Sequence, residues 1–148
     1  MSSLKLTVRE SIRYRGRLGH YSWLAHRISG LGILFYLIIH VWDTANATFS
    51  PEMYQWTVDF FKHPLFGFGE IMLMAALLYH AFNGLRIALL DFKPEWWEHQ
   101  QTSALITWIV FFAAFLPIGI YMFVGLVGHC TGEPPAWGTS CWSIPPLP

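Results

Sequence analysis

Residues 103–128 read SALITWIVFFAAFLPIGIYMFVGLVG and contain no Asp, Glu, Lys or Arg. A helix rises about 1.5 Å per residue, so roughly 20 mostly apolar residues cross a ~30 Å hydrocarbon layer. The stretch exceeds that length. Inside a bilayer every backbone polar group must be satisfied within the segment, so it reads as a membrane-spanning helix. Pro117 lies inside it and predicts a kink.

Two further segments of this kind precede it, at about 65–91 and 21–44. Both carry polar residues and span only if these find internal partners. Composition agrees: 54% of the 148 residues are hydrophobic and 12% charged, against about 25% charged in a soluble domain. The fold class is therefore an all-α membrane protein with three transmembrane helices. Residues 1–20 form a basic N-terminal segment, 21–128 the helical core, and 129–148 a tail rich in Pro and Trp. Net charge is zero, so there is no broad electrostatic case for nucleic acid. No internal repeat is visible.

Lys5, Arg9, Arg13, Arg15 and Arg17 precede the first helix, and Arg86 and Lys93 flank the loop after the second. Between helices one and two Lys62 stands alone, and no Lys or Arg follows His129. Positive charge stays inside, which places the N-terminus in the cytoplasm and the C-terminus outside. No cleaved signal peptide is expected, and the first helix would act as the insertion signal. The tail should be irregular, ordered by packing on something else. Cys130 and Cys141 then lie on the side where disulfides are allowed. Their spacing leaves both a bond and two free thiols open.

The polar residues within the spans carry the functional question. Asp91 and Glu70 read as end-of-helix groups reaching water. His80 lies more than ten residues inside the second helix, too deep for that. A buried imidazole is either hydrogen-bonded to a neighbouring helix or a metal ligand. Gly84, four residues on, shares its face and leaves room for a flat macrocycle. On the first helix His26, Gly30, Ile33, Leu37 and His40 form one stripe. His26 and His40 are 14 residues apart, about 21 Å along the axis. One haem cannot bind both, so a second axial ligand for a haem on His80 would come from another chain.

Residues 22–30, SWLAHRISG, and 79–91, YHAFNGLRIALLD, resemble the cytochrome b membrane-anchor subunits of succinate dehydrogenase (succinate:quinone oxidoreductase, complex II). The pattern is Ser, then His-Arg-x-[Ser/Thr]-Gly opening helix one, with His-x-x-x-Gly-x-Arg and Asp ending helix two. The resemblance covers about residues 15–128. It implies that His80 is an axial ligand of haem b, that His26, Arg27 and Arg86 lie at the haem propionates, and that Arg27 also faces a quinone. Ser22 or Ser29 would supply the accompanying hydroxyl. The family's quinone-site serine falls on Trp23 here, and a second histidine found in some members falls on Ile87.

His40 and Asp43, in HVWD at the outer end of helix one, are open to a second haem, to an outer quinone site, or to simple wetting by the external loop. The resemblance further implies a flavoprotein subunit, an iron–sulfur subunit and a second small haem-sharing membrane subunit. It also implies one or two haems b, quinone as substrate, and a prokaryotic cytoplasmic membrane. No Rossmann glycine motif and no cysteine cluster is present, so succinate oxidation belongs to partner chains. Two other readings stay open: a structural anchor without haem, and the anchor of a quinol:fumarate reductase.

Overall fold

The computed structural model describes residues 9–10, 18–133, 135 and 140–147. Of the basic N-terminal cluster, Lys5, Arg13, Arg15 and Arg17 lie outside these. Among the described residues from Leu18 onward four α-helices follow one another: α1 Leu18–Phe49, α2 Pro51–Phe61, α3 Pro64–Phe92 and α4 Gln100–Thr131. A six-residue 3₁₀ turn, Pro94–His99, links the last two. Among the described residues there is no strand. Helices α1, α3 and α4, the last with its leading turn, are long and apolar enough to cross a membrane.

Proline sets three of the boundaries. Pro51, Pro64 and Pro94 each open an element, where the missing N–H costs nothing and the fixed φ suits the first turn. His63 caps α3, its Nδ1 accepting from the Leu65 amide at 3.2 Å. α4 continues through Pro117; the ring removes one hydrogen bond without ending the helix.

Two differences from the sequence reading have local causes. α1 runs past residue 44 to Phe49, because Thr44 and Asn46 fold back on the His40 and Trp42 carbonyls at 2.8 and 3.1 Å. They satisfy groups inside the helix and no longer compete with it. α2 occupies what reads as a loop. Its signature, Ser50-Pro51-Glu52 ahead of an aromatic run, is a helix start.

Little of the chain is buried. The core is a narrow seam: Ser22 and Ser29 of α1, Tyr79, Asn83 and Leu90 of α3, and Ala104, Thr107 and Phe111 of α4. Tyr79 is its hub. It donates to the Ser22 carbonyl at 3.2 Å and packs on Trp108 and Phe111 at 4.6 and 5.5 Å between ring centroids. Small and polar residues at the seam fit membrane helices, where close backbone approach drives association. The outward faces carry Ile28, Leu31, Phe35, Ile38, Val124 and many like them, as expected for surfaces that meet lipid or other membrane chains.

The tail is pinned. Cys130, in the last turn of α4, is bonded to Cys141. Trp142 stands edge-on to His63 at 5.1 Å, and Trp56 of α2 donates to the Pro145 carbonyl at 3.3 Å. α2, the disulfide and the tail thus cover the end of the bundle far from Leu18.

Candidate functional site

α1 and α3 run antiparallel, and each carries His-x-x-x-Gly: His26 to Gly30, and His80 to Gly84. The structure sets the two motifs against each other. A Cβ on Gly30 would lie 3.0 Å from His80 Cε1, and a Cβ on Gly84 would lie 3.5 Å from His26 Cε1. Each histidine therefore occupies the space that the opposite glycine leaves, so the room beside Gly84 holds the His26 ring and not, as the sequence suggested, a macrocycle. Between them the rings stack, centroids 4.0 Å apart and planes within 6°.

The polar edges of the two rings differ. Ser29 Oγ donates to the His26 carbonyl at 2.9 Å. His80 Nδ1 lies 3.2 Å from that hydroxyl and 3.1 Å from that same carbonyl. A carbonyl can only accept, so Nδ1 of a neutral His80 carries the proton and Nε2 the lone pair. His26 Nδ1, Ser22 Oγ and Asn83 Nδ2 are buried polar atoms without a partner in the same seam. Unpaired buried groups are costly; three together mark a place where polar contacts remain to be made.

Arg86 clamps the C-terminal end of α3. It donates to Ser103 Oγ at 2.9 Å, Asn83 Oδ1 at 3.2 Å and the Gln100 carbonyl at 2.9 Å. Three of its five donors are thereby engaged. Arg27 faces outward, its guanidinium 4.0 Å above the Trp23 ring, and both are exposed. The structure thus brings together His26, His80, Ser22 and Ser29 inside the α1–α3 seam. It sets Arg27 and Trp23 together on the outer face of α1, apart from the seam.

His40 and Asp43 lie at the other end of α1. Tyr36 stacks on His40 at 5.3 Å, its hydroxyl 3.3 Å from Nδ1. With Asp43, Phe61, Phe66 and Glu70 they line a cavity of about 500 Å³. Glu70 also lines a second cavity of about 740 Å³ with Lys62, Met122 and His129. Glu70 is exposed, in keeping with its reading as an end-of-helix carboxylate. Asp91 is exposed, as read. Tyr79 and Tyr36 are site residues that the sequence does not single out by polarity. For Tyr79 a signal exists, since it directly precedes His80 in the same motif.

The sequence matches the family described as succinate dehydrogenase/fumarate reductase transmembrane subunit over residues 6–131, and so over all three spans. The chain belongs to this family. It is 40% identical over 116 residues to the succinate dehydrogenase 2 membrane subunit SdhC of Mycobacterium tuberculosis, covering 78% of this chain and 85% of that one. To the succinate dehydrogenase hydrophobic membrane anchor subunit of Archaeoglobus fulgidus it is 33% identical over 101 residues, covering 68% and 85%. Together with three membrane-length helices, these matches make the chain a multi-pass membrane anchor subunit of succinate dehydrogenase.

Whether the seam suits a haem can be tested on its own groups. Among the described residues no three His, Cys, Asp or Glu converge to hold a metal ion. A haem iron needs only axial ligands, and His80 offers one lone pair. Stacked imidazoles present their faces to each other, so His26 and His80 cannot be the two opposed ligands of one iron. From its own residues the seam offers one axial donor, His80, and a second would have to come from elsewhere.

Proposed function

We propose that the chain is the haem b-binding membrane subunit of a succinate dehydrogenase, passing electrons from an iron–sulfur subunit to membrane quinone. The observation that carries this is the His80 edge: Nδ1 is bonded to a carbonyl and a hydroxyl, which leaves Nε2 as a ligand. Metal-binding histidines are oriented in this way by the partner of the second nitrogen. A haem b, when bound, supplies a one-electron carrier between the iron–sulfur partner and the quinone.

His80 would hold the iron from this chain, and a second small membrane subunit would supply the opposite ligand. His26, with Nδ1 unpartnered in the seam, would meet a propionate edge. Arg86 would do so through the donors that Asn83, Ser103 and Gln100 leave free. Arg27 would donate to a quinone oxygen while Trp23 offers a flat apolar face to the ring. Ser22 lies buried below them and would contribute only if its hydroxyl turns outward. The flavoprotein and iron–sulfur subunits would sit on the cytoplasmic side, where the basic N-terminal segment lies, in a prokaryotic cytoplasmic membrane.

A haem-free anchor is the second reading, and one observation favours it: Ser29, the His26 carbonyl and the His26 ring already satisfy His80. The family description also covers fumarate reductases, and the direction of turnover follows from cofactor potentials held by other chains. A reduced-minus-oxidised visible spectrum of the purified complex separates the first two readings. A b-type band is expected; its absence, with all subunits assembled, supports the structural anchor. A complex with one membrane chain and a six-coordinate haem would remove the second small subunit.

A further inference from the structure

Ser29 is 7% exposed and points into the seam, while Arg27 and Trp23 face away from it. Its hydroxyl has one proton, and the geometry decides where that proton goes. If Ser29 donated to His80 Nδ1, the lone pair of Nδ1 would be spent on that bond. The His26 carbonyl, 3.1 Å from Nδ1, would then face no hydrogen. If Ser29 instead donates to the His26 carbonyl at 2.9 Å, its oxygen is free to accept from Nδ1–H. So is the remaining lone pair of the carbonyl. All three short contacts are then bonds. A serine in a helix commonly makes this backward bond to a carbonyl three or four residues earlier.

The imidazole of His80 is held on further sides as well. The His26 ring covers one face at 4.0 Å. Gly30 closes the Cε1 edge, where a Cβ would stand at 3.0 Å. Turning the ring over would bring carbon to the carbonyl and give up both bonds at Nδ1.

We propose that Ser29 is the positioning residue for His80: with the His26 carbonyl it fixes the rotation and tautomer that present Nε2 to the haem iron. This rests on the haem reading above and adds a role for Ser29 distinct from quinone binding. A hydrogen bond accepted from Nδ1–H raises the basicity of the ligand, which favours the oxidised iron. Losing one acceptor should therefore raise the haem midpoint potential and move its low-field electron paramagnetic resonance feature.

The test uses the whole complex carrying Ser29→Ala or Ser29→Thr, beside wild type and His80→Ala. Haem per complex, midpoint potential and the resonance spectrum are measured at matched assembly. We expect Ser29→Ala to shift the potential upward and alter the resonance, or to lose haem. Ser29→Thr, whose hydroxyl can make the same backward bond, should return both toward wild type. Identical potentials and spectra in Ser29→Ala and wild type overturn the proposal while the haem reading stands. The same disturbance in both Ser29 variants overturns it in favour of a packing role. A wild-type complex without a b-type band overturns the haem reading, and this proposal falls with it.

Discussion

The two ends of the α1–α3 pair both carry histidine, and they could hardly be more different. At the inner end, meaning the one nearer Leu18, His26 and His80 fill the gaps left by Gly84 and Gly30 and stack at 4.0 Å. At the outer end, meaning the one nearer Phe49, His40 is exposed, touches mainly Tyr36 of its own helix, and borders a cavity of about 500 Å³. The residue type is the same, and the neighbours decide its chemistry. Two reciprocal glycines draw the backbones together and give one imidazole a fixed tautomer. At the outer end Gly32 and Gly69 line open space, and a Cβ on either would meet nothing within 4 Å.

The sharpest way to break the contrast is to make the inner end resemble an overfilled one. Gly30→Val would drive branched carbons into His80. Overpacking costs about 1–3 kcal/mol, roughly a tenfold to hundredfold loss in haem affinity. Haem per purified complex measures it, and Gly32→Val, at an open position, should leave haem content near wild type.

Arg27→Leu comes next. Losing a charge-assisted hydrogen bond costs about 1.5–3 kcal/mol, roughly tenfold to hundredfold in rate. Quinone reduction should fall by that factor, while succinate oxidation with a soluble artificial acceptor persists. Equal quinone reductase activity at matched assembly would move the quinone toward the His40–Asp43 end.

Cys130→Ser tests the cap over the outer end. A short disulfide loop contributes on the order of 2–4 kcal/mol, here spent on holding the tail against His63 and Trp56. Protease added to the purified complex should then cut the tail faster, with quinone reduction changed less than about twofold if the His26–His80 site does the work.

The smallest effect is expected at Asp59 of α2, half-buried beside the exposed Lys62. The hydrogen bond from Lys62 at 2.7 Å holds its carboxyl below the usual value. A depressed folded pKa means the contribution is present above the ordinary aspartate value of about 4 and is lost as pH falls through the folded one. Such a partly exposed pair is worth under about 1 kcal/mol. Asp59→Asn should melt slightly earlier than wild type at neutral pH, and the gap should close in acid.

Much of this was legible in the sequence because membrane spans write themselves in length and charge. Residues 103–128 needed no context, and His80 stood out by depth alone. Membership of the family was readable from HRISG and HAFNG taken in order. The reciprocity of the two His-x-x-x-Gly motifs was not, because helix register is a tertiary fact: sequence gives each stripe but not which residue of one meets which of the other. The separation of Ser29 from Arg27 was hidden for the same reason. They are two residues apart, yet about 200° around a helix puts one in the seam and one on the outside. α2 was not legible as a span because its 11 residues are too few to cross a bilayer.

On the proposed function, haem is held at the His26–His80 pair and not at His40. Reduced-minus-oxidised spectra of the intact complex carrying His80→Ala, beside one carrying His40→Ala, test it directly. The account predicts that the b-type band is lost or strongly reduced in the first and unchanged in the second. An unchanged band in His80→Ala, or loss of the band in His40→Ala, would contradict it.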